Sequence, residues 1–332
     1  MLNFSLKNLN SVFGLDIGYE TLKLAQIKQE KGGYSLVGAI EIPLEEKILD
    51  RDKFRNKADT ANLIKTAMKN AKPNPITARR IVSALPETFV FSKTVKMPKM
   101  TREEYLSAIP NEISDFLPIP IIDVYFDFQI LVSHPDEPLN DILVVATPKR
   151  LVDDYVEMAE LADLELVALE TKPLAVGRAI IGDEDKSGSL VIHIGTEYSR
   201  IAIWDDGNLK LTTTVNIGQN QLLESLGYVG KVDKKEIKLT SANEKDISIP
   251  LNTIIDEVVN AIKYHLNRGY KPKPISHIML CGSGISINGL DLLIEKEVKI
   301  KTTIEKIKLK NKENLPPQYI TAFGLAQRKE EE

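Results

Sequence analysis

Two twelve-residue stretches, GLDIGYETLKLA from Gly14 to Ala25 and VIHIGTEYSRIA from Val191 to Ala202, align without a gap. Asp16 falls against His193, Gly18 against Gly195, Glu20 against Glu197, Lys23 against Arg200 and Ala25 against Ala202; 193 − 16 and 202 − 25 are both 177. A repeat at that distance points to two similar domains facing one another. After each copy comes a turn signal, Lys31-Gly32-Gly33 and then Asp205-Asp206-Gly207, followed by a further stretch of strand character, Tyr34 to Ile42 and Leu209 to Val215. Each half therefore reads as strand, tight glycine turn, strand, turn, strand. Helical patterns follow in both. Leu63, Ile64, Ala67, Met68 and Ala71 precede a strand at Ile81–Leu85, and Ile254, Ile255, Val258, Val259 and Ile262 precede a strand at His277–Leu280. The fold class is α/β, a duplicated two-domain arrangement of mixed sheets flanked by helices.

Asp16 is the anomaly in the first copy, a carboxylate between Leu15 and Ile17 in an otherwise apolar strand. A charge buried there is expensive unless it lies at the strand's end or meets something positive. Its partner cannot be read from the local sequence.

The 332 residues suffice for two domains with their own cores. Forty-three basic against 47 acidic residues leave a formal charge of −4, which gives a nucleic-acid partner no advantage. Cys281 is the only cysteine, so no disulfide closes within the chain and a reducing compartment fits. No apolar run reaches the length of a membrane span, and the first residues lack the pattern of a signal peptide. Leu2, Leu6, Leu9 and Phe13 fall at helical spacing, an amphipathic segment or simply a lead-in to the first strand, the second being the simpler reading. The four histidines and the cysteine have no metal-ligand spacing, and no Ser-His-Asp or Cys-His grouping can be argued. The lysine-rich stretches near 238–246 and 299–314 read as solvated surface. The expected location is cytoplasmic.

Pro86 to Pro148 breaks the symmetry. Thr101-Arg102-Glu103-Glu104 is a capping box that opens a helix with Tyr105, Ile109, Ile113 and Phe116 facing inward, and Pro110 is expected to bend or break it. Strands are expected at Asp123–Leu131 and Ile142–Thr147, then a helix starting at Pro148 with Thr147 as its cap. Helix, strand, strand, helix makes a compact inserted subdomain. The run Phe116-Leu117-Pro118-Ile119-Pro120 is either packing beneath it or the border of a peptide groove.

These features together resemble the actin-like ATPase superfamily, which has a duplicated ribonuclease H-like fold, and within it the PilM family of type IV pilus assembly, with the FtsA family of cell division next. The resemblance covers nearly the whole chain. It rests on GLDIGYETLK, VIHIGTEYSR, NIGQNQLLESL from Asn216, CGSGISINGL from Cys281, AFGLAQR from Ala322, and an insert similar to the subdomain called 1C. It implies that 11–85, 164–186 and 316–329 form subdomain 1A, 86–163 the 1C-like insert and 187–315 the second domain. It implies ATP, with Mg²⁺ held through Asp16, in a cleft bordered by Gly18, Tyr19, Lys23, Lys172, His193, Gly195, Thr196, Gly218, Glu257 and Gly282-Ser283-Gly284. It also implies a partner, the N-terminal cytoplasmic segment of a PilN-like inner-membrane protein, gripped between 1A and 1C with Tyr105, Phe116, Leu117 and Pro118 as contacts, and pilus motor ATPases beyond it. The protein would then be recruited to the inner membrane face by its partner, with no span of its own.

The chain departs from the family pattern at several points. His193 stands where the second hairpin normally carries an aspartate, and a neutral imidazole is a poor magnesium ligand, whereas an imidazolium would attract phosphate directly. Lys172 stands where such sequences tend to have the glutamate before Pro173, Ser286 replaces a basic residue near the adenine, and Gln219 replaces a glycine. Phosphoryl transfer needs metal, positioned nucleophile and charge stabilisation together. The resemblance with these departures implies an adaptor whose ATPase is weak or absent. The alternative is an active FtsA-like ATPase that forms filaments. A sugar or carboxylate kinase lacks a candidate base.

Against these stand plainer readings: hairpin turns for Gly18 and Gly195, a packed strand histidine for His193, a solvent-exposed helical carboxylate for Glu257.

Overall fold

The computed structural model describes residues 12–50, 53–132, 138–181, 187–228, 237–239, 244–267, 272–310 and 314–329. Leu2, Leu6 and Leu9 lie outside the described residues. β1 (Val12–Ile17), β2 (Thr21–Glu30) and β3 (Gly33–Pro43) form the expected meander, in which Asp16 pairs with Lys23. α1 (Lys57–Asn70) starts at Asn56, whose side chain accepts the Asp59 backbone N–H, and buries Ala61, Ile64, Ala67 and Met68 against the sheet. β4 (Arg80–Leu85) runs parallel to β1.

The insert follows as β5 (Phe91–Pro98), α2 (Arg102–Ile113), β6 (Val124–Val132) and β7 (Leu139–Pro148), an antiparallel sheet in the order β5-β7-β6 with α2 packed on it. The capping box forms: Thr101 Oγ1 accepts the Glu104 N–H at 3.3 Å, and Glu104 Oε2 accepts the Thr101 N–H at 2.8 Å. The expectations for this segment need correction at four points. α2 does not break at Pro110 but continues to Ile113, because Ile109 and Ile113 on either side of the proline are both fully buried. β5 was missing from the sequence reading; it is an edge strand whose apolar alternation, Val95 and Met97, is short and interrupted by lysines. Pro148 ends β7 as the N-cap position, so α3 (Lys149–Leu161) begins one residue later, and Thr147 makes no capping bond. α3 also buries Leu151, Tyr155 and Met158 in the core of the first half rather than that of the insert.

β8 (Glu165–Thr171) returns the chain to the first sheet, parallel to β4, and leads straight into α4 (Lys172–Ile180). The second half repeats the plan with β9 (Gly188–Ile194), β10 (Ser199–Asp205) and β11 (Asn208–Val215). Then come α5 (Gln219–Ser225), α6 (Glu244–Asn267), β12 (Ile275–Cys281), α7 (Leu290–Val298), β13 (Thr302–Ile304) and the closing helix α8 (Ile320–Ala326). The first sheet is ordered β8-β4-β1-β2-β3 with a two-residue strand, Lys72–Pro73, beyond β3, and the second β13-β12-β9-β10-β11. Both have antiparallel meanders followed by parallel strands, so the duplication read in the sequence is a duplication of topology.

Each half has its own core, and a third apolar cluster lies between the sheets, where Ala25, Val176, Ala202, Trp204, Met279 and Phe323 meet with α4 and α8. The approach is tight: a Cβ on Gly177 of α4 would fall 2.0 Å from the Trp204 ring. Beside it, buried Glu170 receives both guanidinium nitrogens of Arg178 at 2.8 Å and Arg328 Nη1 at 2.8 Å. That carboxylate ties the end of β8 to α4 and to the chain just past α8.

Candidate functional site

The loops after β1 and β9 are superposable in their chemistry as well as their sequence. The Gly18 N–H donates to the Thr21 carbonyl at 2.9 Å and the Gly195 N–H to the Tyr198 carbonyl at 3.0 Å. A Cβ at either glycine would stand 2.9 Å from that same carbonyl oxygen, so glycine is required by the turn itself, with no ligand invoked. The plainer hairpin-turn reading therefore accounts for both glycines.

The two loops touch. The rings of Tyr19 and Tyr198 meet edge to face, centroids 5.5 Å apart at 89°, and Asn220 at the start of α5 donates to Glu20 Oε1 of the first loop at 3.0 Å and Glu197 Oε1 of the second at 3.3 Å. The N–H groups of Gln219 and Asn220 donate to the Gly195 and Thr196 carbonyls at 2.8 and 3.0 Å, and the Gly218 N–H to Gln221 Oε1 at 2.8 Å. Donors at this helix start are thus spent on the second loop and on α5 itself.

Asp16 has its partner in Lys172, the first residue of α4, with Nζ 2.7 Å from Oδ1. Both side chains are nearly sealed from solvent, at 5% and 7% residue exposure. Burial alone would raise the Asp16 carboxyl, but Lys172 first and Lys23 next outweigh it and hold the group below its ordinary value. Lys23 is itself buried and lies 3.9 Å from Glu41. The question posed by the sequence is answered from far along the chain: the positive partner is a lysine delivered by the turn between β8 and α4.

His193 occupies the equivalent place in the second half, paired across the strands with Arg200 as Asp16 is with Lys23. Burial, then Arg200 and Lys172, push its imidazole down to about 3, so it is neutral at physiological pH. Of the two forms weighed for His193, the neutral imidazole is the one this setting holds, because a proton there would sit beside Arg200 and Lys172. Between Lys172, Pro173, His193 and Arg200 remains a void of only about 10 Å³, room for about one water molecule.

The structure brings Asp16, Gly18, Tyr19, Lys23, Lys172, His193, Gly195, Thr196 and Gly218 together, and Gly282 and Gly284 pack on Ile194 at the end of β9. Glu257 is elsewhere engaged, accepting Thr213 Oγ1 of β11 at 2.6 Å. The side chain of Ser286 lies outside the described residues. In the insert, Tyr105 is corrected as a partner contact: it has no exposed surface, and its hydroxyl donates to the Pro98 carbonyl and accepts from Asn140, both at 2.9 Å. Phe116 and Leu117 are half-buried on the insert's core and Pro118 is exposed. Sequence reasoning left out Tyr198, Asn220 and Arg200 as site residues; only Arg200 carried a signal, its alignment with Lys23.

The residues do not fit a magnesium–phosphate group in this arrangement. The carboxylate meant for the metal meets an ammonium, and the Gly18 and Gly195 N–H groups meet carbonyls. Among the described residues no cluster of three His, Cys, Asp or Glu side chains could hold a metal ion. A separate crevice of about 300 Å³ opens where Ser92, Thr94, Leu143 and Val145 of the insert face Thr171 and Pro173 and the edge strand β11.

A family model described as Type IV pilus assembly protein PilM matches residues 14–330. Among solved structures, a "PilM-PilN type IV pilus biogenesis complex" superposes with a TM-score of 0.81 at 20% identity, covering 95% of this chain and 97% of that one. The ethanolamine utilization protein EutJ from Carboxydothermus hydrogenoformans gives 0.54 at 14% identity, over 95% and 88% of the two chains. A Bacteroides thetaiotaomicron protein with an actin-like ATPase fold gives 0.50 at 12% identity, over 99% and 100%. The fold is actin-like.

Proposed function

The chain belongs to the type IV pilus assembly protein PilM family, and from that premise we propose that it is a pilus-assembly adaptor that binds the N-terminal cytoplasmic segment of a PilN-like inner-membrane protein and does not turn over ATP. The observation that carries this reading is the buried Asp16–Lys172 pair beside the touching loops, in a chain whose fold follows that of a PilM–PilN complex over 95% of its length. Hydrolysis needs a metal and an oriented nucleophile, and here the metal's carboxylate is neutralised from within. What remains is a two-domain body with an inserted module, suited to gripping another polypeptide.

The partner segment lies in the crevice between the insert and the body, whose apolar walls, Leu143, Val145, Leu209 and Leu211, take side chains while Ser92, Thr94, Thr171 and Thr212 offer hydroxyls. Pilus motor ATPases are further partners on this reading, and the protein is cytoplasmic, held at the inner membrane by its partner; among the described residues no helix is long and apolar enough to cross a membrane.

Calorimetry with a synthetic peptide of the PilN-like protein's cytoplasmic segment tests the proposal. Binding near micromolar, about −8 kcal/mol, is expected, weakened by Ser92→Arg at the crevice. Affinity no better than millimolar for every pilus membrane partner tried would sink it. Sustained phosphate release at saturating ATP would favour the ATPase alternative.

A further inference from the structure

The lysine-rich stretch near 299–314 has an order in the structure that its composition does not convey. Ile307 and Leu309 are buried in the apolar cluster between the sheets, so the residues that alternate with them, Lys306, Lys308 and Lys310, stand outward and exposed. Ile307–Lys308 is a two-residue strand paired antiparallel with Asn314–Leu315. Lys310 then joins the edge of the first sheet. Its backbone N–H donates to the Tyr34 carbonyl at 3.0 Å and its Nζ to the Lys31 carbonyl, with the stem lying over the Gly32-Gly33 turn between β2 and β3. Exposed Lys31 at that turn is therefore the fourth ammonium of one patch. The neighbouring carboxylates are engaged elsewhere: Glu30 accepts the Ser35 hydroxyl at 2.9 Å and Glu305 the Thr303 hydroxyl at 2.6 Å. Lys312 and Glu313, of opposite charge, lie outside the described residues.

The make-up of the patch decides what it fits. A protein interface is anchored by aromatic or apolar groups near its centre, and among the described residues no exposed large apolar side chain falls within 28–34 or 305–315. Nucleic acid is read by arginine forks and by bases stacked on aromatic rings. The patch holds no arginine, and its aromatic residue, Tyr34, is turned against Phe323. Ammoniums on flexible stems are enough for a bilayer, whose anionic lipids move laterally to meet them. We propose that Lys31, Lys306, Lys308 and Lys310 form a docking face for an anionic lipid bilayer. The chain as a whole is at −4, so these four charges stand against a negative remainder, which turns the patch toward a negative surface. Repulsion from that remainder is screened beyond about 8 Å at physiological ionic strength. The contact needs no partner polypeptide and does not depend on the adaptor reading.

Vesicle flotation of the full chain, with no partner peptide present, tests it. Vesicles of phosphatidylcholine alone are compared with vesicles that are about one-third phosphatidylglycerol, at about 50 and 300 mM NaCl. The wild type is expected to partition about 100-fold or more strongly onto the anionic vesicles at the lower salt, about fivefold per lysine of the patch, and to lose most of that preference at the higher. The variant Lys306→Gln/Lys308→Gln/Lys310→Gln should keep no more than about fivefold of it. All three positions are exposed, so its unfolding temperature should stay within about 1 °C of wild type. A control of equal net charge, Lys53→Gln/Lys263→Gln/Lys296→Gln, alters exposed lysines on other elements and should keep the preference within about threefold. No preference for anionic vesicles, or equal losses in the two triple variants, would overturn the proposal. So would wild-type binding to a short single-stranded DNA that exceeds vesicle binding and disappears in the patch variant, since the face would then belong to nucleic acid.

Discussion

The first and second loops of this protein share a backbone and differ in one decisive side chain. Gly18 and Gly195 close their turns with bonds of 2.9 and 3.0 Å, and each is followed across the strands by a buried cation, Lys23 or Arg200. Two residues before the glycine and opposite the cation, the first half keeps a carboxylate, Asp16, and the second a histidine held neutral. Backbone geometry is fixed by the turn and tolerates no alternative; the side chain at the strand end is fixed only by what faces it. In the first half that is Lys172, and the site answers to charge. In the second it is Arg200, and no counter-carboxylate at 193 meets it.

That asymmetry predicts that the same substitution has different consequences in the two halves. Asp16→Asn removes the carboxylate from a buried ammonium and is expected to cost about 3–5 kcal/mol, whereas His193→Asn exchanges one neutral group for another and costs less than about 1 kcal/mol. Urea unfolding of the two variants measures the difference. Equal losses would mean that the Asp16–Lys172 pair contributes nothing that His193 does not.

Where the backbone is shared, the halves should respond alike. Gly18→Ala and Gly195→Ala each place a Cβ 2.9 Å from a carbonyl oxygen, and each is expected to cost about 1–3 kcal/mol, with the two values within about 0.5 kcal/mol of one another. A large loss at one glycine alone, in the same unfolding assay, would show that one loop is held open by something the other lacks.

The shared part is also what the sequence made legible. Turn glycines, strand alternation and the repeat at an offset of 177 are patterns in the sequence itself, so both meanders and the first parallel strand after each, β4 and β12, could be read directly, while β8 and β13 were not. Lys172 could be noticed as a departure but not placed on Asp16, because the contact is made by the fold, at the junction of β8 and α4. The Tyr19–Tyr198 contact left no pattern at all: the two residues are not even equivalent in the repeat. The strand β5 escaped because an edge strand buries too few residues to show a period, and α3 was grouped with the insert because sequence adjacency does not say which core an amphipathic helix chooses.

Acid should separate the halves next. The folded-state pKa of His193 is depressed from 6.5 to about 3. The unfolded chain therefore takes up a proton near 6.5 that the folded chain refuses, and stability is complete above that value and falls as pH drops toward 3. The slope is at most about 1.4 kcal/mol per pH unit. Asp16 is also depressed, from 3.8, so its contribution is present above 3.8 and is lost only below that. His193→Gln should flatten the stability profile between pH 6 and 4 relative to wild type, and Asp16→Asn should leave that window's slope unchanged; a His193→Gln profile parallel to wild type would mean the imidazole is not held neutral.

The smallest effect concerns the contact that joins the halves. Tyr19 lies under Lys47, 4.9 Å from its ring, and Tyr198 under Arg200 at 4.3 Å, so each ring has a cation of its own as well as its partner ring. Single replacement by leucine disturbs both kinds of contact at once and cannot apportion them. A double-mutant cycle over Tyr19→Leu and Tyr198→Leu cancels the cation terms, leaving the edge-to-face term, about 0.5–1.5 kcal/mol for such pairs. Because one ring belongs to each half, that coupling energy measures association between the halves and nothing within either. It should survive in the presence of Mg·ATP, since the loops already meet without it. A coupling that vanishes when Mg·ATP is added would show nucleotide prising the loops apart, and the two halves would then be a clasp still in use rather than one latched shut.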